Sequence, residues 1–287
     1  MHLHSCQDIY LLSKLSGGGY SEYPPFLKNK AKRLIIPYVF AMLIWVAPIS
    51  VYFFDWDLMY ITKKYLLAIN PSQLWFLWML FWVFAIVWPL KDMMIKKPAN
   101  GYLISIVFYG IGVIGNRIIP NVFCIWTALQ YIPFFFMGIR IRVKEENGEK
   151  ILIDTVPWFC WIAIDLFLLV CSIAVDRQEE IIWKLISNGM SFMLHIVGAI
   201  MAWTTLQMLA NKIEWQDSNI FKALSAYSMP MYLFHQQIIY FTIVWLNGKV
   251  NPWANAGINF VVALIGSFVI SYVLMKWKTT RILIGEE

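Results

Sequence analysis

The stretch LIIPYVFAMLIWVAPISVYFF, residues 34–54, runs for 21 residues without one Asp, Glu, Lys, Arg or His. A helix needs ~20 apolar residues to cross a hydrocarbon core of ~30 Å, so this segment has the length and composition of a membrane span. Helix is the conformation such a segment must take, because lipid offers nothing to its backbone N–H and C=O groups. The pattern recurs along the chain. Further apolar segments lie at about 73–90, 102–119, 122–139, 156–175, 187–210, 229–246 and 255–275. The breaking residues sit between them: Asn70-Pro71, Pro98 to Gly101, Pro120-Asn121, Asn147-Gly148 and Asn251-Pro252. The expected fold is all-α, a polytopic transmembrane bundle of about eight spans. The two segments flanking Pro120 are also compatible with one re-entrant hairpin.

Composition agrees. The 287 residues are 60% hydrophobic and only 14% charged, against about 25% charged in soluble domains. Fifteen Trp and fourteen Tyr suit a chain with two water–lipid interfaces. Cys124, Cys160 and Cys171 fall inside apolar stretches, where thiols pack as small hydrophobes, and with Cys6 they form no metal or disulfide framework. The first 33 residues contain no long apolar stretch of the kind a cleavable signal needs.

The charge distribution orients the bundle. Of 23 Lys and Arg, 17 fall in the connections on the side of both termini: 1–33, 91–100, 140–150, 211–228 and 276–287. That bias places both termini in the cytoplasm. It also assigns the net charge of +6 to cytoplasmic loops and lipid headgroups, not to nucleic acid. The expected organisation is a cytoplasmic segment 1–33, a single membrane domain 34–275 and a cytoplasmic tail 276–287.

Ionisable and strongly polar residues inside spans are costly and therefore candidates for function. His235 stands about two turns inside its span, ~9 Å deep at 1.5 Å per residue, where a neutral imidazole could deprotonate a hydroxyl. Gln236 and Gln237 beside it could orient a substrate. Arg33 closes the basic run Lys28, Lys30, Lys32, Arg33 at the mouth of the first span. Guanidinium grips phosphate bidentately, so Arg33 with Lys32 could hold a phosphorylated ligand. Lys28 and Lys30 read instead as contacts to anionic lipid. Asp165 and His195 read as structural, each pairing with a polar side chain on a neighbouring helix. Trp75, Trp78 and Trp82 share one helix face and read as packing. His2, His4 and Cys6 are too few for a metal site, and no metal is expected. Phosphate loops, dinucleotide fingerprints and nucleophile elbows are absent from the sequence.

Three segments in order resemble the membrane acyltransferase-3 family. They are FLKNKAKRLIIPY at 26–38, QLWFLWMLF at 73–81 and SAYSMPMYLFH at 225–235. The stretch YIPFFFMG at 131–138 is also similar. The resemblance covers about residues 26–275. It implies a membrane-bound O-acyltransferase of the bacterial inner membrane. An acetyl group would pass from acetyl-CoA in the cytoplasm to a hydroxyl of a cell-surface carbohydrate. On that reading His235 is catalytic, Arg33 and Lys32 hold acetyl-CoA, and Gln236, Tyr232 and Ser228 orient the substrate. Members of the family begin with two further spans, the first bearing an Arg and, eleven positions on, a His. Residues 1–25 carry neither span, so the resemblance leaves a truncated, inactive member as one expectation beside the active enzyme. The competing expectations are a transporter or flippase of a sugar-containing substrate, without covalent chemistry, and a non-catalytic partner in a polysaccharide assembly.

Overall fold

The computed structural model describes residues 22–149, 152–176, 181–213 and 219–286. Among them every regular element is helical. Eight long helices follow in order: α1 Tyr23–Phe54, α2 Trp75–Lys96, α3 Pro98–Ile118, α4 Ile125–Glu146, α5 Trp158–Asp176, α6 Ile181–Ile213, α7 Asn219–Leu246 and α8 Pro252–Leu274. A short α9, Lys278–Leu283, ends the chain. Each expected span is thus a helix, and the two helices flanking Pro120 are each long and apolar enough to cross a membrane. Seven described helices are long and apolar enough to cross a membrane; α7 is the long helix outside that set. Its apolar run is diluted by Ser225, Ser228, His235, Gln236 and Gln237. The protein is an integral membrane protein with an all-α bundle.

The helix ends follow local chemistry. Pro98 opens α3 and Pro252 opens α8, positions where the missing N–H costs nothing. The side chain of Asn251 accepts from the Trp253 N–H at 2.7 Å. Asn121 accepts from the Trp126 N–H at 2.9 Å and donates to the Thr127 hydroxyl at 2.7 Å. The Asn251 contact is an N-cap bond, and both asparagines satisfy backbone donors in a first helical turn. α1 begins at Tyr23, eleven residues before the apolar stretch, so the basic run 28–33 is helical. Pro37 lies inside α1 and a π-helical turn follows at Met42–Val46, the kind of irregularity a helix-interior proline produces.

The chain divides into two compact units, Met1–Ile139 with Ala223–Glu287, and Arg140–Lys222. In the first, α1 packs on α2 through Phe26, which meets the rings of Phe84 and Trp88 at 6.1 and 5.9 Å. The Trp45 indole donates to the Phe234 carbonyl at 3.1 Å and ties α1 to α7. α3 meets α4 through glycines: a Cβ on Gly112 would lie 2.7 Å from the Trp126 carbonyl oxygen, and one on Gly115 2.3 Å from the Trp126 ring. Small residues allow this approach of two backbones. Trp75 and Trp78 are packing residues, against Tyr131 at 5.5 Å and against Tyr38 and Phe123 at 5.7 and 4.6 Å.

Between α1 and α2 the chain folds inward. Tyr65, Ala68, Pro71, Gln73 and Leu74 are all buried. Asn70 and Ser72 take left-handed backbone conformations at φ 52° and 51°. Non-helical backbone is stable there because protein groups satisfy it. The Tyr65 hydroxyl meets Ser50 at 2.9 Å and Ser72 at 3.4 Å, and the Tyr38 hydroxyl donates to the Tyr65 carbonyl. Burial pushes the Tyr65 phenol above its ordinary pKa, which keeps it neutral and able to donate.

The second unit is the α5–α6 hairpin. Asp165 on α5 faces α6 at Gly198, where a Cβ would lie 3.4 Å from its Oδ1. That oxygen is buried and accepts no hydrogen bond, so the expected polar partner on the neighbouring helix is not met there. His195 uses Nδ1 on the Ser191 carbonyl of its own helix. His2, His4 and Cys6 lie outside the described residues.

Candidate functional site

A cavity of about 550 Å³ opens within the first unit. α1 contributes Lys30 and Arg33, α7 contributes Ser228, Tyr232 and His235, and α2, α4 and α8 supply mainly apolar walls such as Val83, Phe134 and Leu264. Four of the six residues singled out from the sequence, Arg33, Ser228, Tyr232 and His235, therefore line one space. Arg33 and His235 are 202 positions apart in the chain and meet only through the packing of α1 and α7.

The helical periodicity of α7 sets the order of its polar face. Ser228, Tyr232 and His235 follow at steps of four and three, which puts them on one stripe. His235 lies sixteen residues after the helix start at Asn219, about 24 Å along the axis at 1.5 Å per residue. The helix thus begins ten residues before residue 229, where hydropathy starts the span.

His235 is held in a defined tautomer. Its Nδ1 lies 2.8 Å from the Tyr232 carbonyl oxygen. A carbonyl only accepts, so Nδ1 carries the proton and donates. In the neutral ring the lone pair then sits on Nε2. The Tyr232 hydroxyl donates to the Gln73 main-chain carbonyl, and the Ser228 hydroxyl donates to the Ser225 carbonyl at 2.9 Å. Both hydroxyl protons are committed, and the Ser228 oxygen keeps lone pairs that can accept from a ligand hydroxyl.

The remaining expected residues stand elsewhere. Gln236 donates to the Tyr240 hydroxyl at 2.8 Å and is not part of the cavity wall. Lys32 is exposed and also lies outside it. Lys30, read from the sequence as a lipid contact, is 4% exposed, lines the cavity and holds its ammonium 4.0 Å from the centre of the Phe84 ring. The correction has a simple cause. α1 starts at Tyr23, so residue 30 falls on its buried face with Phe26, Leu34 and Tyr38. The spacing 26, 30, 34 carried that signal; hydropathy, which treats every lysine alike, hid it.

Gln73 and Gln237 are a further pair. Gln73 donates from Nε2 to the Gln237 Oε1 at 2.6 Å, with a longer return contact of 3.4 Å. They are 6% and 0% exposed. The arrangement as a whole sets an imidazole, a guanidinium and a lysine side chain into one largely apolar cavity. Those groups can bind an anionic ligand and remove a proton from a hydroxyl.

A family model described as an acyltransferase domain matches residues 9–276. No curated protein and no solved structure matches the chain.

Proposed function

Because the chain belongs to this acyltransferase family, the acyltransferase-3 family, we propose that it transfers an acetyl group from acetyl-CoA to a hydroxyl of a cell-surface carbohydrate. The observation that carries this reading is the shared cavity. His235, with its lone pair on Nε2, lines the same space as Arg33 and Lys30. In the reaction the acceptor O–H gives its proton to His235 Nε2. The oxygen attacks the thioester carbonyl, a C–O bond forms, the C–S bond breaks, and the leaving thiolate takes the proton from His235 Nε2 to depart as the thiol. Arg33 and Lys30 hold the anionic phosphates of the donor, as charge-assisted bonds to phosphate require. Ser228 accepts from a hydroxyl of the acceptor. Gln236 acts one step away through Tyr240, and Lys32 attracts the donor from the surface.

The lysine and arginine bias supports cytoplasmic termini, which puts the donor on the side where Arg33 lies. The test is transfer of labelled acetyl from acetyl-CoA to glycan in vesicles that carry the full chain. Label on the glycan, lost in His235→Ala, supports the reading. Unlabelled glycan moved across the vesicle wall would replace it with transport.

A further inference from the structure

We propose that α1 and α9 form a site for an anionic glycerophospholipid, with an acyl chain in a groove between them and the phosphate at Lys28 and Lys32. The site lies apart from the transfer chemistry and does not depend on it. The groove encloses about 370 Å³ on the outer face of α1. Ile35, Ile36, Val39, Leu43 and Ile44 form its floor, and Leu283 of α9 bounds it. Every side chain that lines it is apolar.

Helical steps of three and four carry this stripe back into the basic run. Lys28, Lys32, Ile35, Ile36, Val39 and Leu43 share one face of α1. Lys28 and Lys32 are exposed, and so are Val39, Leu43 and Ile44. That face turns from cationic to apolar after Lys32, as a lipid turns from headgroup to chain.

Two dimensions select the occupant. The groove runs from Ile35 to Ile44, about 14 Å at 1.5 Å per residue. One leaflet is about half of a ~30 Å hydrocarbon core. A helix ~10 Å across would need about 1,100 Å³ over that length, roughly three times the space. A flexible chain of one leaflet's depth fits, and the two lysines select a chain with an anionic head. α9 adds the same chemistry. Lys276, Trp277 and Lys278 at its start are exposed, residues of the kind that seat a segment at the headgroup level.

The site has a second side. Leu283 bounds the groove, Ile284 is fully buried, and Gly285 lines the large cavity beside Arg33. These three consecutive residues are the wall between groove and cavity. A lipid seated in the groove therefore holds the end of the chain against α1.

The experiment uses the full chain in uncharged detergent, with phosphatidylglycerol or phosphatidylcholine of the same acyl chains. Native mass spectrometry reads the bound lipid, and the melting temperature is measured beside it. Wild type is expected to retain one phosphatidylglycerol at least about tenfold more tightly than phosphatidylcholine, as two lysines at a bilayer surface produce, and to melt higher with it. Lys28→Gln with Lys32→Gln is expected to bring the two lipids within about twofold of each other. Val39→Trp fills the groove and is expected to lose the bound lipid with both lysines in place; Val39 is exposed, so the larger ring needs no room in the core. Ile106→Trp, at an exposed position of α3, is the control and is expected to bind as wild type does. Equal retention of both lipids by wild type would overturn the inference, as would an undiminished preference in the double variant or in Val39→Trp. Wild-type chains that pair without lipid and separate in Val39→Trp would put a second copy in the groove and overturn it as well. None of these readouts involves acetyl transfer, so failure of the site and failure of the assigned chemistry are told apart.

Discussion

A Cβ placed on Gly285 would lie 2.7 Å from the carbonyl oxygen of Arg33 and 3.0 Å from Cγ of Pro37. Pro37 has no N–H to give to the carbonyl four residues before it, so α1 leaves that oxygen without its usual helical partner. The chain after α9 returns to this place. Ile284 is fully buried and Gly285, at φ 85°, lines the cavity beside Arg33. The proline gap in α1 and the glycine at the far end of the chain are therefore one packing feature.

Gly285→Ala meets both obstacles at once. The left-handed conformation costs a residue with a Cβ about 1–2 kcal/mol, and the atom in the way is backbone, which cannot swing aside. The expected result is a lowered melting temperature of the purified chain and a raised KM for acetyl-CoA, because Arg33 must move. An unchanged melting temperature would show that the end of the chain does not seat on α1 in the membrane.

His235→Ala removes the imidazole that lines the cavity. General-base catalysis contributes typically ~10²–10⁴-fold, so transfer is expected to fall at least about a hundredfold with normal amounts of protein in the membrane. Transfer at the wild-type rate would reduce His235 to packing between α7 and its neighbours.

The eight helices were legible because each approaches the length of a bilayer and five of the seven connections carry residues that stop helices. Of the polar residues of α7, His235 was legible as an ionisable residue inside a span, and Ser228 and Tyr232 only through the family resemblance. Lys30 was misread for want of the α1 start: a hydropathy window places the beginning of a span where the charges end, while the helix itself continues through them to Tyr23. Gln73 and Gln237 were legible only as polar residues, since 164 positions separate them and nothing local announces that their amides meet. The inward loop was hidden for a related reason. Asn70-Pro71 reads as a surface break, and only the surrounding helices show that the segment is buried.

Gly112→Ala tests the contact of α3 with α4 apart from any chemistry. Its added methyl carbon would stand 2.7 Å from the Trp126 carbonyl oxygen and 3.0 Å from the Gln130 backbone nitrogen. Two backbones would have to separate, also stretching the 3.0 Å bond from Gln130 to the Gly112 carbonyl. Overpacking of this kind costs about 1–3 kcal/mol. Gly110→Ala is the control, because a Cβ there meets nothing within 4 Å. The first variant is expected to unfold at lower temperature in detergent and the second to match wild type or exceed it.

The basic run at the start of α1 separates into members by their place on the helix. Arg33 and Lys30 line the cavity; Lys32 is exposed and does not. If the cavity binds the phosphates of the donor, loss of each lining cation should weaken the donor. A hydrogen bond to a charged group contributes about 1.5–3 kcal/mol, and 1.4 kcal/mol is tenfold in affinity. Arg33→Ala is therefore expected to raise KM for acetyl-CoA about tenfold or more. Arg33→Lys should recover only part of the loss, because an ammonium cannot reproduce the bidentate fork. Lys30→Met keeps an unbranched chain against Phe84 and removes the charge alone, so its expected effect is on KM and not on stability. Lys32→Ala should change KM by less than about twofold at physiological salt, since an exposed charge acts through screened attraction. Equal effects of all three would mean that the run acts as one diffuse basic surface. The cavity would then have to bind something other than the phosphates.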